Sequence, residues 1–172
     1  MPMRMKLPVM LAAGALSLGL AAGASQADAP VALDIKVMTL DTASRMAWAA
    51  LDACREGGFN VAVTVVDRGG NTQVVLRDTL AVDLTLDISR QKAYTAMSFN
   101  GPLSEMEDRF TKPFQVGKVD GVVFSAGGLP IHAAGRIIGG IGVSGAPSGD
   151  IDEVCAGKGL DEVRMDLETV QP

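Results

Sequence analysis

Seven glycines fall between Gly127 and Gly145, set among β-branched and aliphatic residues, and this pattern restricts the fold more than any other stretch of the chain. Val122 to Ser125, Leu129 to Ala133 and Ile137 to Val143 are short apolar runs separated by Gly127-Gly128 and Ala134-Gly135. They read as two or three strands, the last pair closed into a hairpin. Gly140 to Gly145 also spells G-x-G-x-x-G, the letters of a dinucleotide-binding turn. That turn needs a helix and then a second parallel strand ending in an acidic residue, and too little chain follows to supply them. Glycines in strands more often let a helix or a ligand approach the sheet closely, and this is the reading adopted.

The rest of the chain supplies partners for such strands. Ala43, Met46, Ala47, Ala50, Leu51 and Cys54 recur at three- and four-residue steps, so Asp41 to Gly57 is predicted as a helix, capped by Asp41 or Thr42. Asn60–Asp67 and Thr72–Arg77 flank Arg68-Gly69-Gly70-Asn71 and read as an antiparallel hairpin. A second helix is predicted over Leu84–Phe99, with Asp87, Arg90, Gln91, Tyr94 and Ser98 on one side and Lys92 and Thr95 turned toward the apolar side. A short helix is expected over Pro102–Arg109, where Ser104 and Glu107 have capping-box spacing, and a loop over Phe114–Asp120. The last helix begins near Asp150 and continues through Val163, with a polar tail after Arg164. Hairpins outnumber βαβ crossovers, which implies an α+β domain with a mostly antiparallel sheet covered by helices.

Residues 1–27 read as a secretory signal: Arg4 and Lys6, an apolar stretch from Leu7 to Ala22, then Ser25-Gln26-Ala27, with cleavage after Ala24 as the alternative. A retained anchor is disfavoured because the stretch is short of the roughly 20 residues that span a bilayer. Residues 28–172 then form one domain. Loss of Arg4 and Lys6 takes the formal net charge from −5 to −7, a sign that repels nucleic-acid backbones. Export would permit a Cys54–Cys155 disulfide, yet two cysteines can equally stay as small buried apolar groups. Neither C-x-x-C nor a zinc-binding Cys/His pattern occurs.

Several side chains have both a chemical and a plain reading. His132, the one histidine, could ligate iron, or it could sit at a rim and meet water or backbone. Lys92 could pair with a ligand carboxylate or lay its stem over apolar surface. Thr95 could face an occupant of the apolar groove or bond back to a helical carbonyl. Met97 and Met106 are soft donors that more often fill core gaps. G-x-S-x-G is absent and no acid can be matched to His132, so the chain does not read as a hydrolase or a redox enzyme.

Four blocks, Val63–Asn71, Lys92–Ala96, Ala126–Ile131 and Ile141–Ala146, resemble the HbpS/GlcG-type haem-binding family in order and spacing across nearly all of residues 28–172. The resemblance implies a profilin-like three-layer α/β/α domain that assembles as a homo-oligomer. It also implies either extracellular haem capture and sensing, with a membrane histidine kinase as partner, or an accessory role in small-molecule catabolism on a hydroxy acid or corrinoid-related compound. A bare interaction module is the remaining possibility. On this resemblance haem is held by Lys92, Tyr94, Thr95, Gly127, Gly128 and His132. Lys92 meets a propionate, and Thr95 or His132 approaches iron. The chain departs from the family in lacking an E-x-x-E iron motif and a histidine-rich N-terminal stretch, so iron storage and bis-histidine ligation are not expected.

Overall fold

The apolar stripe read from Ala43 to Cys54 is buried in full along α1, Leu40–Glu56. In this computed structural model, which describes residues 31–110 and 116–171, the cap is Thr39 rather than Asp41 or Thr42. Its hydroxyl accepts from the Thr42 N–H, and Asp41 falls in the first turn, where its charge suits the helix dipole. The secretory signal and cleavage site expected over residues 1–27 lie outside the described residues. No helix among the described residues is long and apolar enough to cross a membrane.

Residues 35–172 form one of two contact units, and the fold lies in it. The predicted hairpin is β1, Ala62–Asp67, and β2, Thr72–Arg77. The Asp67 carboxylate accepts from the Gly69 and Asn71 N–H groups, while Gly70 takes φ +80°, so side chain and glycine set the turn together. The second helix, α2, runs Leu84–Phe99 as predicted and stops at Asn100, a left-handed cap with φ 54°. β3, Gly128–Ala133, and β4, Arg136–Ser144, make the second hairpin, turning through Ala134 and Gly135 at positive φ. α3, Gly149–Glu168, is capped by the Ser148 hydroxyl.

Two readings are corrected, and the two or three strands expected in the glycine-rich region resolve to two. Pro102–Arg109 holds a single 3-10 turn, Leu103–Glu105, because the expected capping pair is used elsewhere: Ser104 donates to Glu153, and Glu107 accepts from the Ala126 N–H. Val122–Ser125 is no strand, since the Val123 N–H bonds the Thr95 hydroxyl instead of a ladder partner. The tail after Arg164 stays helical for another turn, and Leu167 and Val170 pack against the core.

The four strands are all antiparallel, in the order β2-β1-β4-β3. One face carries Val63, Val65, Ile131, Ile141 and Val143, which meet Met46, Ala50 and Leu51 of α1 and Ala156 and Val163 of α3 in the main core. Cys54 and Cys155 join those two helices in a disulfide with Cα atoms 5.5 Å apart, so the pairing left open by the sequence is formed. The opposite face carries α2. Gly140 and Gly142 lie beneath it, and a Cβ on either would come within 2.3 Å of the Ala93 or Ser89 carbonyl oxygen. Helix backbone therefore rests directly on strand backbone, which is the close approach the glycine pattern anticipated. Thr64 beside Gly142 adds a buried hydroxyl pair with Ser89 at 2.8 Å. The result is the expected three-layer α/β/α arrangement.

Candidate functional site

The six residues singled out in the sequence separate into a buried polar hub, a filled apolar seam and an open recess. Lys92 belongs to the hub. Its Nζ donates to Asp152 Oδ2 at 2.8 Å, and both side chains are about 5% exposed or less. The other Asp152 oxygen accepts from the Ala146 N–H at 3.0 Å. Burial pushes the Asp152 carboxyl above its ordinary range, while the Lys92 ammonium and the Ala146 N–H pull it back.

Gly127 and Gly128 make room for this pair. Gly127 has φ +117°, and a Cβ there would fall 2.6 Å from Lys92 Nζ; at Gly128 it would fall 2.6 Å from the Lys92 carbonyl oxygen. Next to them, Glu153 accepts from the Gly127 and Ser104 N–H groups and from the Ser104 hydroxyl, tying the start of β3 to the chain after α2. Asp152 carries no motif in the sequence and falls in the first turn of α3. The signal that could have found it is electrostatic: an inward-facing lysine requires a buried anion.

Thr95 is fully buried and its hydroxyl is used twice, donating to the Gln91 carbonyl at 2.7 Å and accepting from the Val123 N–H at 3.0 Å. Beside it, Ala96, Leu103 and Met106 form a small core with Phe99 and Phe124. The rings of Phe99, Phe110 and Phe124 lie 4.5 to 5.5 Å apart. Among the described residues, the groove along this side of α2 is thus filled by the protein's own side chains. Tyr94 packs its half-buried ring on the Gly70 turn, and Met97 lies half-buried over Gly140.

His132 stands apart on the edge strand β3, where the register with β4 shifts between Ile131 and His132. The imidazole is exposed, and its Nε2 lies 2.6 Å from Asn100 Oδ1. It borders an open recess of about 430 Å³ between the β3–β4 hairpin and the second half of α3, within the range of ligand clefts. Pro130, Ala133, Ala134, Leu160 and Leu167 give it apolar walls, and Arg164 and Glu168 stand at its rim. The sequence identified His132, but not the contribution of α3, because which helix faces a hairpin is a property of packing.

A glycine-faced antiparallel sheet between two helical layers, with a concave site at one sheet edge, defines a small α+β ligand-binding domain. Residues 38–161 match the family model described as "Haem degrading protein HbpS-like", and the chain belongs to that family. It is 35% identical over 116 residues to an uncharacterized 15.0 kDa protein from the dhaT-dhaS intergenic region of Citrobacter freundii, covering 64% of this chain and 82% of that one. A crystal structure of a double mutant of HbpS from Streptomyces reticuli is 42% identical, with a TM-score of 0.72 over 78% of this chain and 97% of that one. A PduOC:heme complex shares the fold, with a TM-score of 0.68 at 23% identity over 79% of this chain and all of that one.

Proposed function

We propose that residues 1–27 direct export and that residues 28–172 then work outside the cytoplasm, secreted or periplasmic, as a single haem-binding domain assembled from identical copies. The observation that carries the haem reading is the recess beside β3, an open and largely apolar concavity bordered by the chain's one imidazole. A flat tetrapyrrole needs apolar walls for its faces and a donor for its iron, and histidine is a common haem ligand. Membership of the HbpS-like family supports this reading, as does the 42% identity to an HbpS structure. The disulfide supports export, since such bonds persist mainly in oxidising compartments. Haem capture, or sensing relayed to a membrane kinase, is the role that follows.

Titration of the exported protein with hemin tests the reading: a saturable Soret shift is expected, and its absence overturns haem binding. Sizing with and without hemin tests the assembly, and the N-terminal residue of the exported chain tests cleavage at Asp28. The family's description names haem degradation. Loss of the Soret band with time under air and a reductant would move the reading from binding to turnover. A second reading, an accessory protein of small-molecule catabolism acting on a hydroxy acid or corrinoid-related compound, is favoured only by the genomic position in the Citrobacter relative's name. A hemin-indifferent protein encoded among catabolic enzymes would favour it.

A further inference from the structure

We infer that the outer edge of β2, with the apolar residues that follow it, is the contact surface for a second copy of this chain, the two β2 strands pairing antiparallel so that the two sheets join. The inference rests on the assembly from identical copies proposed above and names the surface through which two of them meet.

Among the described residues, β2 and β3 each have a single neighbour, so the sheet has two open edges, and they are not alike. At β3 the Val143 N–H bonds the Gly127 carbonyl, and strand alternation from that pair turns the main-chain nitrogen of Pro130 outward. A proline there offers no N–H to an incoming strand, and the register shift at Ile131/His132 bends the edge further. At β2 the Asp78 N–H bonds the Val61 carbonyl, so Val74 and Leu76 direct their N–H groups at β1, while Val75 and Arg77 direct theirs away from the sheet. Thr72–Arg77 contains no proline, and its bulge falls at Gln73, which leaves Val74 to Arg77 in regular register. This edge keeps its outward donors and acceptors in strand geometry, ready for another strand.

The side chains beside that edge are apolar and open. Val75 stands opposite Thr64, which bonds Ser89 of α2, so it faces the α2 side of the sheet, yet it is 44% exposed. Leu80, Val82 and Leu84 follow on the connection into α2, each more than 60% exposed. A lone exposed aliphatic is ordinary, whereas a run of them beside an unpaired edge marks a contact surface.

Charge selects the occupant. The chain carries a formal net charge of −5, so two copies repel over much of their surface. Around this patch the exposed charges balance, Arg77 and Arg90 against Asp83 and Asp87. About a two-fold axis each sign can meet its opposite on the other copy, and an edge strand turned antiparallel is its own complement. A strongly acidic or basic partner finds no such match.

The test is the mass of the full exported protein in solution, measured by light scattering for wild type and variants. Wild type should be an oligomer. Val75→Pro, which removes an outward N–H and leaves the β1 ladder intact, should lower the mass by about half or more. Leu80→Asp with Val82→Asp should do the same; both residues are exposed, so this pair decides the matter should circular dichroism show the proline variant unfolded. Val75→Cys adds a thiol to a chain whose own cysteines are bonded to each other, and mild oxidation should link two chains through it. Met165→Cys, also exposed but on α3, should not link. If wild type is a monomer, the assembly reading and this inference fall together. If wild type is an oligomer and the Leu80→Asp, Val82→Asp protein keeps its mass, or Val75→Cys fails to link, only this inference falls.

Discussion

Lys92 and Asp152 join helices that cover opposite faces of the sheet, their Nζ and Oδ2 atoms 2.8 Å apart beside Gly127. The pair stitches the α2 layer to the α1/α3 layer at the end where β3 begins, and it does so out of contact with water. A buried pair of this kind contributes modestly as a whole, but breaking it leaves an uncompensated charge inside.

Asp152→Ala should therefore destabilise the protein by about 3–5 kcal/mol in urea unfolding. Replacing both partners, with Lys92→Met and Asp152→Leu, should cost clearly less than the single change. Equal losses in the two proteins would mean that the ion pair is incidental.

Gly142→Ala places a methyl 2.2 Å from the Ser89 carbonyl oxygen, with strand and helix backbone on both sides and no flexible side chain to yield. A loss of about 1–3 kcal/mol or more is expected, as for other overpacked interiors. Gly135→Ala meets no atom within 4 Å but has φ +71°, so a smaller loss from backbone strain alone should appear. Comparing the two by thermal unfolding separates crowding from conformation.

Reduction of Cys54–Cys155 should lower stability by about 2–5 kcal/mol, measured by denaturant unfolding with and without a thiol reductant. The sheet and helices should survive, because the surrounding core is assembled from both helices and three strands. An unchanged midpoint would show that the bond adds nothing to the folded state.

Asp78 accepts two hydrogen bonds from the Arg55 guanidinium, which hold its carboxyl below the ordinary carboxylate value in the folded chain. A lowered folded value means the ionised form is favoured by folding. The stabilisation is thus present above the ordinary carboxylate range and fades as pH falls through and below it. Stability should drop less steeply on acidification in Asp78→Asn than in wild type, when both are followed by urea midpoints between neutral and acid pH. Parallel slopes would remove Asp78 from the acid response.

The helices α1 and α2 and the first hairpin were legible because each depends on local pattern: a 3.6-residue stripe, or alternation around a glycine turn. The Pro102–Arg109 helix failed for the opposite reason. Ser104 and Glu107 have the right spacing to cap each other, yet Glu153 and Ala126, distant in sequence, compete for them and win. The same non-locality hides the buried ion pair and the recess from the sequence. Lys92 was rightly read as inward-facing, but its partner sits 60 positions later. His132 stood out because it is the one imidazole, whereas Arg164, Leu160 and Leu167 join it only once α3 is folded against the sheet edge.

The covalent link between α1 and α3 closes a ring over a sequence separation of 101, and that ring contains all four strands and α2. A protease that cuts the backbone once anywhere inside it cannot by itself release a fragment. A molecule nicked in this way would stay in one piece on a non-reducing gel and part into two only when a thiol is added.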